Sequence, residues 1–339
     1  MRTGEDKFRK RLKKAGVFAA VTALLVSSSL TVQAKEQDTA GEEKTTIHVA
    51  VQKSTYSPYL TKALGYFDDA FSTEGTTVEL TEFSQGAPMV EAVNSGDIDV
   101  AFLGDVPTFA GLINGGEYTI IGKYSEDTAK ALLVRKDADI KSFEDLKGHT
   151  YATAFGSNVQ PLAEIYLEKG GLTDADVQYT NLSFGDINTS IVNGDIDAAV
   201  TNEPNISKIL STTDDVEVLA TADGYKTFVG PIIAGNDFLK NYPETTSEFL
   251  SAIQKAADWS KENKEEAVEK IAGEAGLETT DVKTLFEQQD NNTYLTDEQI
   301  QGLQQGADDA YKYGLLKSEI SVKDYIDTSY LEAAGITAE

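Results

Sequence analysis

At 339 residues with 40% hydrophobic content, the chain exceeds what one small core accommodates, so two lobes are the natural expectation. Cysteine is absent, which excludes disulfides, a thiolate nucleophile and a cysteine-linked lipid anchor. A formal net charge of -27 at pH 7 sets the chain against nucleic acid and anionic membrane surfaces, although a few cleft residues can still create a local field of the opposite sign.

Seven bases between Arg2 and Lys14 precede an apolar run at 15–26, and the small-residue sequence Val32-Gln33-Ala34 follows. That order predicts a secretory signal peptide over 1–34, because the run is short for a membrane span. Cleavage would remove seven bases and two acids, taking the charge to -27 - 5 = -32. Residues 35–45 are polar and charged and read as a disordered lead-in.

From residue 46 the pattern alternates strand and helix. Residues 46–51 carry Ile47, Val49 and Val51 at strand spacing, 59–70 is helix-like and 78–83 is a second strand. A helix over 87–94 is closed by Gly96, and a strand over 97–103 follows. Further strands are expected at 118–124, 131–135, 150–155, 177–182, 195–201, 216–221 and 227–234, with a helix over 159–169. Such alternation argues for an α/β fold with parallel sheets and helices on both faces. Past residue 247 the chain reads as helical at 247–263, 264–275, 279–288 and 296–313, and these helices are expected to buttress the first lobe. Trp259 and Phe286 within them are expected to be packing residues.

One internal similarity stands out. The segment Val93-Asn94-Ser95-Gly96-Asp97-Ile98-Asp99-Val100-Ala101 matches Ile191-Val192-Asn193-Gly194-Asp195-Ile196-Asp197-Ala198-Ala199, an offset of 194 - 96 = 98 residues. Each copy closes a helix with Gly, enters a strand through Asp-Ile-Asp and reaches an acid beside proline, which suggests two lobes on one plan.

Taken in order, Glu82-Phe83-Ser84-Gln85-Gly86-Ala87-Pro88, the first Gly-Asp-Ile-Asp, Gly104-Asp105-Val106-Pro107, Lys141 to Gly148 and Phe155-Gly156-Ser157-Asn158 give the chain a specific likeness. It resembles the substrate-binding proteins of ABC transporters for aliphatic sulfonates, taurine and nitrate, a family akin to thiamine-precursor binders. The likeness covers 47–241 and fades in the helical tail. It implies a type II periplasmic-binding-protein fold, with two α/β lobes joined by two crossover segments near 128–132 and 226–232. Lobe 1 would comprise 46–128 plus 232–339, and lobe 2 would comprise 129–231. The implied protein is exported to the periplasm or outer cell surface as a monomer. It captures a small organic anion between its lobes and docks on an ABC permease with its ATPase. A secreted sensor without a permease would carry the same residues.

Ligands of open α/β sheets bind outside the carboxyl ends of the strands, and the candidate residues lie there. Gln52 and Tyr56 follow the first strand and offer neutral donors. Ser84, Gln85 and Gly86 end a strand and open a helix; Gly156, Ser157 and Asn158 repeat that arrangement, either as helix caps or as ligand contacts. Gly104 and Asp105 follow the third strand. Asn202 and Glu203 stand where many family members carry an aromatic residue before Asp-Pro, which implies a more polar pocket floor. Asp105 and Glu203 have two readings: counter-ions for an amine such as a thiamine precursor, or acceptors for backbone N–H groups in their turns.

The only histidines, His48 and His149, fall inside a strand and in the turn before another, not at a strand's carboxyl end where a Ser-His-Asp arrangement would need one. Metal-ligand spacing and glycine-rich phosphate loops are missing, so the chain is expected to be a binder without cofactor, metal or catalysis. Enzymes of pyrimidine-cofactor synthesis share the family's fold, yet nothing here resembles their chemistry.

Overall fold

The computed structural model describes residues 46–73 and 75–338; the signal peptide and lead-in expected over 1–45 lie outside them. The first lobe opens with β1 (Thr46–Val51), α1 (Tyr56–Ala63), α2 (Tyr66–Ala70), β2 (Thr77–Glu82), α3 (Gly86–Ser95), β3 (Val100–Phe102), α4 (Asp105–Ile113) and β4 (Tyr118–Asp127). The second holds β5 (Lys130–Arg135), β6 (Thr150–Thr153), α5 (Gln160–Lys169), β7 (Gln178–Asn181), α6 (Phe184–Asn193), β8 (Ala198–Asn202), α7 (Asn205–Thr212) and β9 (Val216–Thr221). The chain then returns through β10 (Phe228–Gly235), α8 (Asn236–Asn241), α9 (Pro243–Glu262), α10 (Lys264–Ala275), α11 (Thr279–Gln288), β11 (Gln289–Asp290), α12 (Asp297–Lys312) and α13 (Ser329–Ala333).

The two sheets repeat one order. The first runs β11-β4-β10-β3-β1-β2 and the second β7-β6-β8-β5-β9, so β2-β1-β3-β10-β4 corresponds strand for strand to β7-β6-β8-β5-β9. In each, the first strand pairs parallel with two neighbours and the fourth is antiparallel. That antiparallel strand is β5 in the second lobe and β10 in the first, and each is delivered by a crossing of the chain between lobes. The crossings occupy 128–129 and 222–227. The sequence placed the second one later, but β10 is already paired with β4 at Phe228, so 228–231 run in the first sheet, while the Phe228 side chain packs in the core of the second lobe.

Central strands are buried on both faces, which is why they read as near-continuous apolar runs. Val49 and Val100 face one core of the first lobe, built with Phe102, Phe249 and Ile253, while Ala50 and Ala101 face another, built with Met89, Phe109 and Leu303. The late helices thus supply both layers. Phe286 is buried and Trp259 packs beside it, in a third cluster with Tyr56, Leu60 and Ile271.

The sequence repeat has a physical cause. Gly96 and Gly194 close their helices in the left-handed region at φ 80° and 81°, which glycine adopts without steric cost. Three residues on, the Asp99 carboxylate accepts the His48 N–H at 2.8 Å and the Asp197 carboxylate accepts the Thr150 N–H at 2.9 Å. Each carboxylate therefore pins the start of its lobe's parallel strand pair. These bonds also explain why β3 and β8 begin later than expected, at Val100 and Ala198: the Asp-Ile-Asp residues are used as ties, not as strand. The single helix expected over 59–70 is two, because Gly65 turns the chain at φ 71°. Helix α4 was hidden by Pro107, yet Pro107 sits in its first turn, where a missing N–H costs no bond.

Candidate functional site

The carboxyl ends of the parallel strands of both lobes open on one cavity of about 390 Å³ between the sheets. From the first lobe, Gln52 follows β1, Ser84, Gln85 and Gly86 join β2 to α3, and Gly104 follows β3. From the second lobe, Gly156, Ser157 and Asn158 follow β6, and Asn202 and Glu203 end β8. Ten of the twelve residues singled out from sequence therefore line a single space.

The other two do not. Asp105 is 3% exposed and turned into the first lobe, where one oxygen accepts the Val106 N–H at 2.8 Å and the other lies against Gly306. Burial pushes its carboxyl upward, while Lys226 and Lys130 act in the opposite sense. Asp105 is thus part of the protein's own charge balance, with Lys226 tied on to Asp309 at 3.4 Å. Tyr56 is 1% exposed and packs with Ala129 and Leu285, residues that themselves face the cavity, so it stands directly behind the wall.

The two helix starts differ. At α5 the chain satisfies itself: the Gly156 N–H goes to Gln160 Oε1 at 2.7 Å, the Ser157 N–H to the Ala154 carbonyl, and Ser157 Oγ accepts the Val159 N–H. Gly156 and Ser157 are therefore committed to shaping the loop; the helix itself starts from Val159 with no side-chain cap, so neither Ser157 nor Asn158 is its N-cap. At α3 the N-cap Gln85 makes no side-chain cap, and Gly86 and Ala87, which open the helix ahead of Pro88, line the cavity. Across the cleft, Gly104 and Asn158 nearly touch: a Cβ added at Gly104 would lie 3.0 Å from Asn158 Cβ.

Several wall residues escaped the sequence reading. Lys130 is buried, but it pairs with Asp127 and lies 4.3 Å above the Phe228 ring, so its charge is already met. Lys53 is 3.7 Å from Glu82 and donates to the Ala275 carbonyl. Phe155, Phe184 and Phe228 give the space apolar surface, and α11 contributes Asp281 and Leu285. The lining holds three lysines (53, 130, 208) and four carboxylates (82, 127, 203, 281), a formal balance of 3 - 4 = -1. Among the described residues no arginine reaches it: Arg135, the only arginine beyond residue 11, is held by Asp137 and the Ile191 carbonyl.

Glu203 and Asp127 are the buried acids of this wall, and Glu203, 5% exposed, is the one without a lysine partner among the described residues. Its carboxylate accepts the Ser207 N–H at 3.0 Å and the Ser207 hydroxyl at 3.1 Å, which caps the start of α7. Burial first, and Asp281 in addition, push its carboxyl above the usual range. Both histidines stand at strand starts, beside Glu79 and Asp197, away from the cavity. Among the described residues no group of three His, Asp or Glu is placed to hold a metal ion, and no described helix is long and apolar enough to cross a membrane.

Two α/β lobes on one strand plan, joined by two crossings and sharing one polar crevice, define a type II periplasmic-binding-protein fold. Comparison with known proteins places the sequence within that architecture: the chain belongs to the NMT1/THI5 like family, whose model matches residues 54–267. A Bacillus subtilis protein named for binding aliphatic sulfonates is 27% identical over 292 residues, covering 85% of this chain and 87% of that protein. The alkanesulfonate-binding protein SsuA of Xanthomonas axonopodis pv. citri, solved bound to MOPS, superposes with a TM-score of 0.75 at 22% identity, covering 84% of this chain and 99% of SsuA. A 4-amino-5-hydroxymethyl-2-methylpyrimidine phosphate synthase of Aspergillus parasiticus is 28% identical over 219 residues, covering 59% of this chain and 61% of that enzyme. The fold thus serves binders and an enzyme alike, and the site has to decide between them.

Proposed function

We propose that this protein is the extracytoplasmic binding component of an ABC importer and captures a small organic anion of the sulfonate, taurine or nitrate class between its lobes. The observation that carries the reading is the convergence of Ser84, Gln85 and the start of α3 with Asn158 and Asn202 on one cavity that, among the described residues, is lined by no histidine or arginine. Neutral donors and helix N–H groups bind an oxyanion without transforming it, and of the three lining lysines Lys208 is the one that pairs with no carboxylate among the described residues, so it adds a positive charge to the cavity wall. The similarity to binding proteins along most of the chain supports the same reading. Export, by the basic and apolar leader, and docking of the ligand-bound form on a membrane permease with its ATPase complete the proposal. Calorimetric titration with short alkanesulfonates, taurine and nitrate tests it. Binding of at least one with a rise in melting temperature is expected, because a ligand that binds only the folded state stabilises it by mass action. If every oxyanion leaves both heat and melting temperature unchanged, the reading is wrong.

A further inference from the structure

Asn202 does not stand alone in the cavity wall. Its Oδ1 accepts from Asn205 Nδ2 at 2.9 Å, and Asn205 Oδ1 in turn accepts from Asn188 Nδ2 at 2.7 Å, so three amides form a chain from the end of β8 through the start of α7 to α6. Asn202 and Asn205 line the cavity, whereas Asn188 does not. The core holds the far end in place, because Ile187 and Ile191 of α6 pack with Ile206 and Ile209 of α7. There, Asn188 Oδ1 is buried without a hydrogen-bond partner. At the near end Oδ1 of Asn202 is taken, and its NH2 group has no acceptor among the described residues.

Such a chain can run in two directions, since exchanging oxygen and nitrogen in all three amides keeps both internal bonds. The directions differ only at their ends. As it stands, the chain buries a lone acceptor at Asn188 and offers a donor at Asn202. Reversed, it would bury a lone NH2 and turn a carbonyl oxygen to the cavity. Buried N–H groups without a partner are rarer than under-satisfied carbonyl oxygens, so the fold favours the direction that ends in a donor.

We propose that Asn188 and Asn205 are positioning residues that fix Asn202 as a hydrogen-bond donor, and that this polarity selects a sulfonate over the sulfonamide of the same shape. The inference rests on the proposed function and deepens it, because it says how a neutral side chain tells an oxyanion from a near isostere. A group with only lone pairs satisfies the Asn202 donor; an N–H turned towards it leaves two donors opposed. Asn188, outside the cavity, acts only through the other two amides.

The test is Asn188→Asp, which keeps the shape but leaves a side chain that only accepts. Asn205 must then give its NH2 to position 188 and its oxygen to Asn202, and Asn202 must turn its own oxygen to the cavity. An alkanesulfonate and the sulfonamide of the same chain length are titrated into the full protein. The sulfonate preference of the parent should fall about 10-fold or more in Asn188→Asp, as expected when an acceptor replaces a donor opposite an oxyanion. The fall should persist at about 0.5 M salt, where a remote charge is screened. Asn188→Leu removes the far link without forcing a direction and should lose less. A preference unchanged in Asn188→Asp, a fall equally large in Asn188→Leu, or one abolished by salt overturns the inference and leaves the oxyanion reading intact. If the Asn188 variants fail to fold, proton–nitrogen NMR of the parent decides: the Asn202 side-chain NH2 signals, identified by their loss in Asn202→Asp, should shift when the sulfonate is added, and unmoved signals overturn the inference. Failure of the parent to bind any sulfonate, taurine or nitrate overturns both readings.

Discussion

At Asp105 the difference between a ligand contact and an internal charge becomes measurable. Lys226, with its side chain 3% exposed, lies near Asp105 and pairs with Asp309 at 3.4 Å, so it keeps a carboxylate partner when the Asp105 charge is removed. Burial opposes the Asp105 charge while Lys226 and Lys130 favour it, so Asp105→Asn is expected to shift the urea midpoint only modestly while the folded fraction binds ligand with unchanged affinity. Lost binding would restore Asp105 to the site. Glu203 makes a prediction with a definite sign. Its folded pKa is raised by burial and by Asp281, so the unfolded chain gives up this proton more readily than the native one. The sign follows: its contribution favours folding below the unfolded carboxylate value of about 4.3 and is lost as pH rises through the folded value. Glu203→Gln should raise the melting temperature of ligand-free protein at neutral pH, and the gain should shrink as the solution is acidified to pH 4. A variant less stable than the parent at neutral pH would mean that the Ser207 cap outweighs the charge. Both acids were visible in the sequence as members of one motif repeated. Which of them faces the cavity was not, because the turn after β3 points its carboxylate inward and the turn after β8 does not.

Among the elements, the starts of α4 and α5 set how closely the lobes approach. Gly104 lies against Asn158 with only enough room for a hydrogen, and a Cβ there would stand 3.1 Å from the Asn158 amide carbon as well. Gly104→Val should hold the lobes apart and weaken ligand binding at least 10-fold, about 1.4 kcal/mol, with little change in the urea midpoint of the ligand-free protein. Affinity equal to the parent's would show that the contact can spread without cost. Such a contact joins residues far apart in the chain, and no local pattern marks it. What local pattern does mark is the repeat: Gly96 with Asp99 and Gly194 with Asp197 were legible because a left-handed cap followed by a carboxylate tie needs particular residues at fixed spacing. Helix α11 shows the limit. Its amphipathic spacing correctly signals packing through Val282, Leu285 and Phe286, but Asp281 and Leu285 also face the cavity, and periodicity assigns a residue to one face without saying what lies opposite.

For the whole molecule, the exchange of β5 and β10 between otherwise equivalent sheets means that two short crossings, 128–129 and 222–227, carry any movement of one lobe against the other, while the bodies on either side are separately packed. Hinge closure of this kind couples ligand to shape only if the ligand binds one arrangement better than another. Outside the cavity a second contact spans the lobes: Lys312 Nζ and the Tyr313 hydroxyl both donate to Glu168 Oε2, at 2.6 and 2.5 Å, joining the end of α12 to α5. Helix α12 packs on the first lobe through Leu303, Ala307 and Ala310, and α5 on the second through Leu162, Ala163 and Tyr166. The lysine and the glutamate are more than half exposed, so solvent and salt limit the contact to at most about 1 kcal/mol. If it forms only when the lobes are together, that energy belongs to ligand binding. Glu168→Gln should then weaken affinity by no more than about 5-fold at low ionic strength, and the gap from the parent should close as salt is raised to 0.5 M, where screening acts within a few ångströms. A gap that is absent at low salt would show that the same bond persists when the lobes separate, and that closure is held by the cavity residues alone.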